Sequence, residues 1–177
     1  MIETTVIKVF DAQGQLIAEI PLTNPAIETY NTGVESARIG NLQQAIQSFK
    51  KAIEIEPRYV DAHYNLAVTY YSLGQLEKAR QEYEIVLQLR PQDVDALNNL
   101  GTILATTGHL EEAKKLFDRA LDIDPDFALT QRNLAAYYQA VGDELKTAEH
   151  YQKALTLDQG VFDREPGPPR ISPKREL

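Results

Sequence analysis

VDAHYNLAVTYYSLGQLEKARQEYEIVLQLRPQD, residues 60–93, decides how this chain folds. Two helical patterns lie in it, the first stopping at Gly74, where a left-handed cap is easily adopted, the second stopping before Pro91, which cannot continue a helix. These landmarks return on either side at a step of 34 residues, as Pro57, Pro91 and Pro125 and as Gly40, Gly74, Gly108 and Gly142. A period of this length with paired helical patterns predicts helix-turn-helix units that cannot bury their apolar faces singly and must stack.

Aligned on the proline, the units run 26–59, 60–93, 94–127 and 128–161, each with two antiparallel helices of about 14 residues. Small residues recur where helices must approach: Ala45, Ala79 and Ala113 on the second helix, Gly33, Ala67, Gly101 and Ala135 on the first. Large ones recur opposite them, with Phe49, Tyr83, Phe117 and Tyr151 in one row and Ile53, Leu87, Leu121 and Leu155 one turn further on. Leu66, Leu100 and Leu134 complete the expected core.

In the Leu-Ala/Gly pair of the first helix (Leu66-Ala67, Leu100-Gly101, Leu134-Ala135), the turn glycine, the Ala and Phe/Tyr of the second helix and the closing proline, the chain resembles the tetratricopeptide repeat family from residue 26 to about 158. The resemblance implies a mainly α, right-handed superhelical solenoid that binds other proteins without catalysing a reaction. Both ends depart from the pattern: Thr32 stands where other units have Leu, Thr147 replaces the packing Ala and Gln159 replaces the Pro. The family commonly adds a solvating helix after its last unit. Here residues 162–177 are too rich in Pro and charge for one and are expected to be disordered, leaving the outer side of the last helix to be covered by Val161 and Phe162 or by a second protein.

Residues 1–25 form a separate extension. Thr4–Phe10 and Gln15–Leu22 are β-branched and apolar runs joined by Asp11-Ala12-Gln13-Gly14, which predicts a β-hairpin. An isolated hairpin is marginal in water, so it either packs on the first repeat or pairs with another chain. Residues 4–22 and the C-terminal helix are therefore the two candidate surfaces for a homo-oligomer.

The formal charge of −8 disfavours nucleic acid and anionic membrane surfaces, because both draw affinity from clustered Lys and Arg. There are no cysteines, which leaves the redox compartment undetermined; Glu3 and Lys8 interrupt the N-terminal apolar stretch and no run of about 18 apolar residues occurs, so the sequence reads as cytoplasmic, not secreted and not membrane-inserted. His63, His109 and His150 lack ligand-pair spacing, Asp122-Ile123-Asp124-Pro125-Asp126 lacks the Gly and Glu of a calcium loop, and no glycines form a phosphate cradle. Neither catalysis, a metal nor a cofactor is expected.

The polar feature that calls for a reason is a row of asparagines. Asn31, Asn65, Asn99 and Asn133 hold the sixth place of every unit, one residue before the core position. Since the family's first helices line the concave surface, the resemblance implies a row of amides along the groove, similar to the asparagine ladder in the repeat domain of O-linked N-acetylglucosamine transferases, whose catalytic domain is absent here. Stacked helices about 8–10 Å apart would meet an extended peptide roughly every third residue, and each amide can both donate and accept. The other reading is that each Asn bonds a neighbouring helix or water.

Flanking side chains expected to tune partner selection are Tyr30, Val34 and Arg38; Asp61, Tyr64, Val68 and Tyr71; Asp95, Asn98 and Thr102; and Arg132, Ala136 and Gln139. A subgroup of the family clamps acidic chaperone tails with two Lys, two Asn and an Arg. The matching places here hold Tyr30, Val34, Asn65, Asp95 and Asn99, of which only Asn65 agrees, so that ligand is disfavoured. The expected function is an adaptor or assembly factor holding a partner's peptide segment in the groove, the alternative a self-associating structural subunit.

Overall fold

The computed structural model describes residues 6–10, 15–21 and 24–162. Strands β1 (Val6–Phe10) and β2 (Leu16–Pro21) are followed by eight helices: α1 (Pro25–Arg38), α2 (Leu42–Ile55), α3 (Val60–Ser72), α4 (Leu76–Leu89), α5 (Val94–Thr106), α6 (Leu110–Ile123), α7 (Ala128–Val141) and α8 (Glu144–Leu157). They fall into the four expected pairs, α1 with α2 through α7 with α8. The connecting turn of the hairpin and residues 163–177 lie outside the described residues, and with them the expectation for the C-terminal tail.

The turn chemistry repeats with the sequence. Gly40, Gly74, Gly108 and Gly142 all have φ between +70° and +85°, a backbone that costs a side chain. The residue after each glycine donates its N–H back across the helix end, Asn41 to Ser36, Gln75 to Tyr70, His109 to Leu104 and Asp143 to Tyr138, at 2.8–3.0 Å. This is the Schellman closure, and it turns the chain into the second helix.

The second helix of each unit is closed by another repeated bond: Tyr59 to Glu56, Asp93 to Arg90 and Phe127 to Asp124 at 3.0–3.3 Å. Val161 makes the same bond to Asp158 at 3.0 Å, although Gln159 stands where the others have proline. The extended backbone at Asp158 (φ −150°, ψ 104°) already ends α8, so the missing ring does not abolish the turn. Asp93 also caps α5, accepting from the Ala96 N–H at 2.9 Å. Asp93→Ala is expected to cost about 1 kcal/mol, read as a lower melting temperature.

Ala45, Ala79 and Ala113 are fully buried, and Phe49, Tyr83 and Phe117 fill the space beside them. A Cβ placed on Gly33 or Gly101 would come within 2.6 Å of the Phe49 ring or 2.5 Å of the Phe117 ring, so these first helices touch the aromatic directly. Units two and four have Ala67 and Ala135 at that place, opposite tyrosines. Adjacent units join through α2–α3, α4–α5 and α6–α7 packing, with first helices also meeting across α1–α3 and α5–α7.

At the N-terminus, β1 and β2 pair antiparallel from Val6 opposite Pro21 to Phe10 opposite Leu16, with a bulge at Val9–Phe10. Leu16 and Ile17 are exposed. At the C-terminus Val161 is fully buried and Phe162 stacks on Tyr151, with ring centroids 4.2 Å apart. Phe162 therefore belongs to the packed array rather than to the tail. No helix among the described residues is long and apolar enough to cross a membrane.

Candidate functional site

The fifth and sixth places of each unit lie on the first helix, where it meets the first helix of the next unit. Asn65 donates from Nδ2 to the Tyr30 hydroxyl at 2.9 Å, and Asn99 donates to the Tyr64 hydroxyl at 3.0 Å. Asn133 makes the equivalent bond to Asn98 Oδ1 at 2.9 Å, because the third unit has Asn where the first two have Tyr. Each link spans 35 residues, one repeat plus one position.

The third rung is the most elaborate. Asn98 Oδ1 also accepts from the Thr130 hydroxyl at 3.0 Å, Asn98 Nδ2 donates to Asn99 Oδ1 at 3.3 Å, and the second Asn133 N–H reaches Thr102 Oγ1 at 3.1 Å. Arg132 occupies the same place in the fourth unit and donates from Nη1 to the Val161 carbonyl at 3.2 Å. The asparagine row is thus a ladder between repeats, and the amides of Asn65, Asn99 and Asn133 are engaged inside the scaffold.

Expectations for partner contact have to be redrawn accordingly. Tyr30, Asp61, Tyr64, Asn65, Val68 and Asn98, together with Val34, are buried, so their side chains present little surface to a visiting chain. Tyr30 lies against Phe49 and Tyr59, Tyr64 against Tyr83, and Asn98 is bonded by Thr130 and Asn133 of the next unit. Asp61 is also tied to Arg90 at 3.1 Å. Burial, followed by the nearby charge of Asp95, pushes the Tyr64 hydroxyl well above its ordinary range, which keeps it neutral while it accepts from Asn99.

Asn31, Tyr71, Asn99, Thr102, Arg132 and Asn133 remain half-buried, and Arg38, Asp95, Ala136 and Gln139 are exposed. Arg38 pairs with Glu35 on its own helix. The accessible strip along the first helices is narrower than the sequence suggests and mixes hydroxyl, amide, aromatic and charged groups.

A second set of polar contacts went unnoticed in the sequence. His63 places Nδ1 2.7 Å from Glu82 Oε2 and Nε2 3.1 Å from the Pro57 carbonyl, so both ring nitrogens face acceptors, an arrangement that favours the protonated ring. Gln131 fills the same place in the fourth unit, donating to the Pro125 carbonyl at 3.1 Å and accepting from His150 Nδ1 at 2.8 Å. Leu97 stands there in the third unit and is buried. These pairs join residues 19 apart on the two helices of one unit, a relation visible only once the helices are docked.

The two histidines respond to pH in opposite senses. Burial opposes charge on His63 but is outweighed by the Glu82 hydrogen bond, the Pro57 carbonyl and the Glu82 charge, so its pKa lies above 6.5. That contribution to stability is complete below 6.5 and is lost as pH rises through the folded pKa. Burial first of all lowers the pKa of His150, so its contribution is present above 6.5 and is lost as pH falls through its folded pKa. Melting temperature measured against pH is expected to rise more steeply, or fall less, toward alkaline pH in His63→Gln than in the parent, and to show the reverse difference in His150→Gln.

Among the described residues no group of three His, Cys, Asp or Glu could hold a metal ion. The geometry defines a stacked helical-repeat protein with a mixed polar strip and polar seams. Two family profiles match it, one described as TPR repeat over residues 37–74 and one as tetratricopeptide repeat over residues 58–126, together about half of the chain. The chain belongs to the tetratricopeptide repeat family.

No curated protein sequence matches the chain. Several solved structures resemble it. MamA (41-end) from Desulfovibrio magneticus RS-1 is 24% identical with a TM-score of 0.69, covering 76% of each chain. PilF of Pseudomonas aeruginosa is 28% identical with a TM-score of 0.68, over 76% of this chain and 62% of that one. The first TPR of Spaghetti (RPAP3), solved bound to the HSP90 peptide SRMEEVD, is 22% identical with a TM-score of 0.64, over 75% of this chain and 97% of that one. The first and third of these likenesses are of fold alone.

Proposed function

We propose that the protein is a non-enzymatic adaptor or assembly factor whose right-handed superhelical array holds a peptide segment of a partner against the first helices. The observation that carries the reading is the run of accessible groups along α1, α3, α5 and α7, from Asn31 through Tyr71, Asp95, Asn99 and Thr102 to Asn133 and Gln139. Tyr71 supplies an aromatic contact, and the exposed Asp95 and Gln139 supply polar contacts around it.

The RPAP3 domain was solved with a chaperone peptide ending in Glu-Glu-Val-Asp. This chain reads a different ligand: Tyr30, Val34 and Asn65 are buried at places matching that clamp, and Asp95 puts a negative charge at another. A partner without an acidic terminus follows.

The test is affinity capture by the full chain and by a Tyr71→Lys/Asp95→Lys/Gln139→Lys variant, with circular dichroism confirming that the variant melts as the parent does. Loss of the captured partner supports the groove. Undiminished capture assigns binding to another surface and contradicts the proposal.

A second reading is favoured by one feature, the exposed Leu16 and Ile17 on β2, which suit strand pairing between copies. Light scattering on Ile17→Lys tests it, and an oligomer that survives the substitution excludes the hairpin as the interface.

A further inference from the structure

The last helix carries an apolar strip that no described element covers. Tyr151 is 40% exposed, whereas Phe49, Tyr83 and Phe117 at the same place in the other units are 0%, 0% and 1% exposed. Leu145 is 85% exposed and stands where the other units have Gln43, Glu77 and Glu111, so nothing in the repeat pattern calls for an apolar residue there. Ala148 lies between these two on the same face and is exposed, and Leu155 continues the strip half-buried. Glu144 and Glu149, both exposed, flank it.

The chain is already led onto this strip. After α8 it turns at Asp158, buries Val161, has the Val161 carbonyl held by Arg132, and stacks Phe162 on Tyr151. It thus runs back over α8 as far as Tyr151. The next residues, outside the described part, read Asp163-Arg164-Glu165-Pro166-Gly167-Pro168-Pro169.

Pro166, Pro168 and Pro169 disfavour a further helix and favour polyproline II, which lies well on aromatic and aliphatic surfaces. From Tyr151 to Leu145 is about 9 Å along a helix, at 1.5 Å per residue. At about 3.1 Å per residue in polyproline II, three or four residues beyond Phe162 span it. On such a path Pro166 would come level with Leu145, and Arg164 between Glu144 and Glu149.

We propose that residues 163–169 dock along α8, antiparallel to it, with the prolines over Leu145 and Ala148, as a non-helical end cap of the repeat array. The cap covers the apolar Leu145 and Ala148, which the inner units replace or pack otherwise, and closes the face to a second copy of the chain.

Because the chain has no cysteine, one spin label can be placed cleanly. In full-length, isotope-labelled Gly167→Cys carrying a nitroxide, amide signals of residues 144–151 are expected to fall to less than half of their intensity with the label reduced, at all protein concentrations. Adding Leu145→Gln, which restores the polar side chain found in the first unit, is expected to return much of that signal. Undiminished α8 signals, broadening confined to the first helices, or broadening insensitive to Leu145→Gln would each overturn the proposal. So would broadening that appears only when labelled chain is mixed with isotope-labelled chain bearing no nitroxide, since the occupant would then be a second copy.

Discussion

Replacing Phe117 by alanine is expected to lower the unfolding free energy by about 3–5 kcal/mol, read from urea denaturation. The ring is 1% exposed and lies against Gly101 so closely that no Cβ fits between them. Gly101 itself has no side chain to fill the void, and fully buried Ala113 offers little from α6. Collapse would require the helices themselves to move, which the neighbouring units resist through α4–α5 and α6–α7 packing. Tyr151→Ala, at the corresponding but half-open place in α8, is expected to cost clearly less, because part of that ring already faces outward. Equal losses at the two sites would mean that the aromatic row does not carry the core as described.

Asn65→Ala is expected to cost about 1–3 kcal/mol, since a fully buried carboxamide is removed together with its bond to the Tyr30 hydroxyl. Gln139→Ala, at an exposed place on α7, is expected to stay within about 0.5 kcal/mol of the parent. Had the four asparagines served only a visiting peptide, both substitutions would leave stability alone and weaken binding alike. A comparable, small loss at both positions in urea melts would return the row to the groove.

The architecture was legible because its determinants are local and repeated. Turn glycines need a left-handed backbone, prolines end the second helices, and small residues recur opposite large ones, so a single period carries fold and core together. The direction of the asparagines was not legible in the same way. Periodicity shows that four residues share an environment but not whether that environment is solvent or the neighbouring helix. The clue lay in combining two rows: with Asn in the sixth place and Tyr or Asn in the fifth, a donor always finds an acceptor 35 residues earlier. His63 with Glu82 and Gln131 with His150 were hidden for a related reason, because each pair differs chemically from unit to unit while filling one place.

The C-terminal boundary shows the opposite case. Gln159 lacks the ring that marks the other unit ends, yet the Asp158–Val161 turn forms and Phe162 finds Tyr151, since backbone hydrogen bonding and an exposed aromatic suffice. The sequence set Phe162 at the start of the tail by composition while also offering it, with Val161, as a cover for the last helix, and the stacking on Tyr151 agrees with the second of these.

The account rests on hydrogen bonds between fifth and sixth places knitting one repeat to the next. A double-mutant cycle on Tyr64→Phe and Asn99→Ala, measured by urea denaturation of the full chain, tests it at the rung where Asn99 donates to Tyr64 at 3.0 Å. A coupling energy of about 0.5–3 kcal/mol is predicted; strictly additive losses would show that the row contributes nothing to the stack.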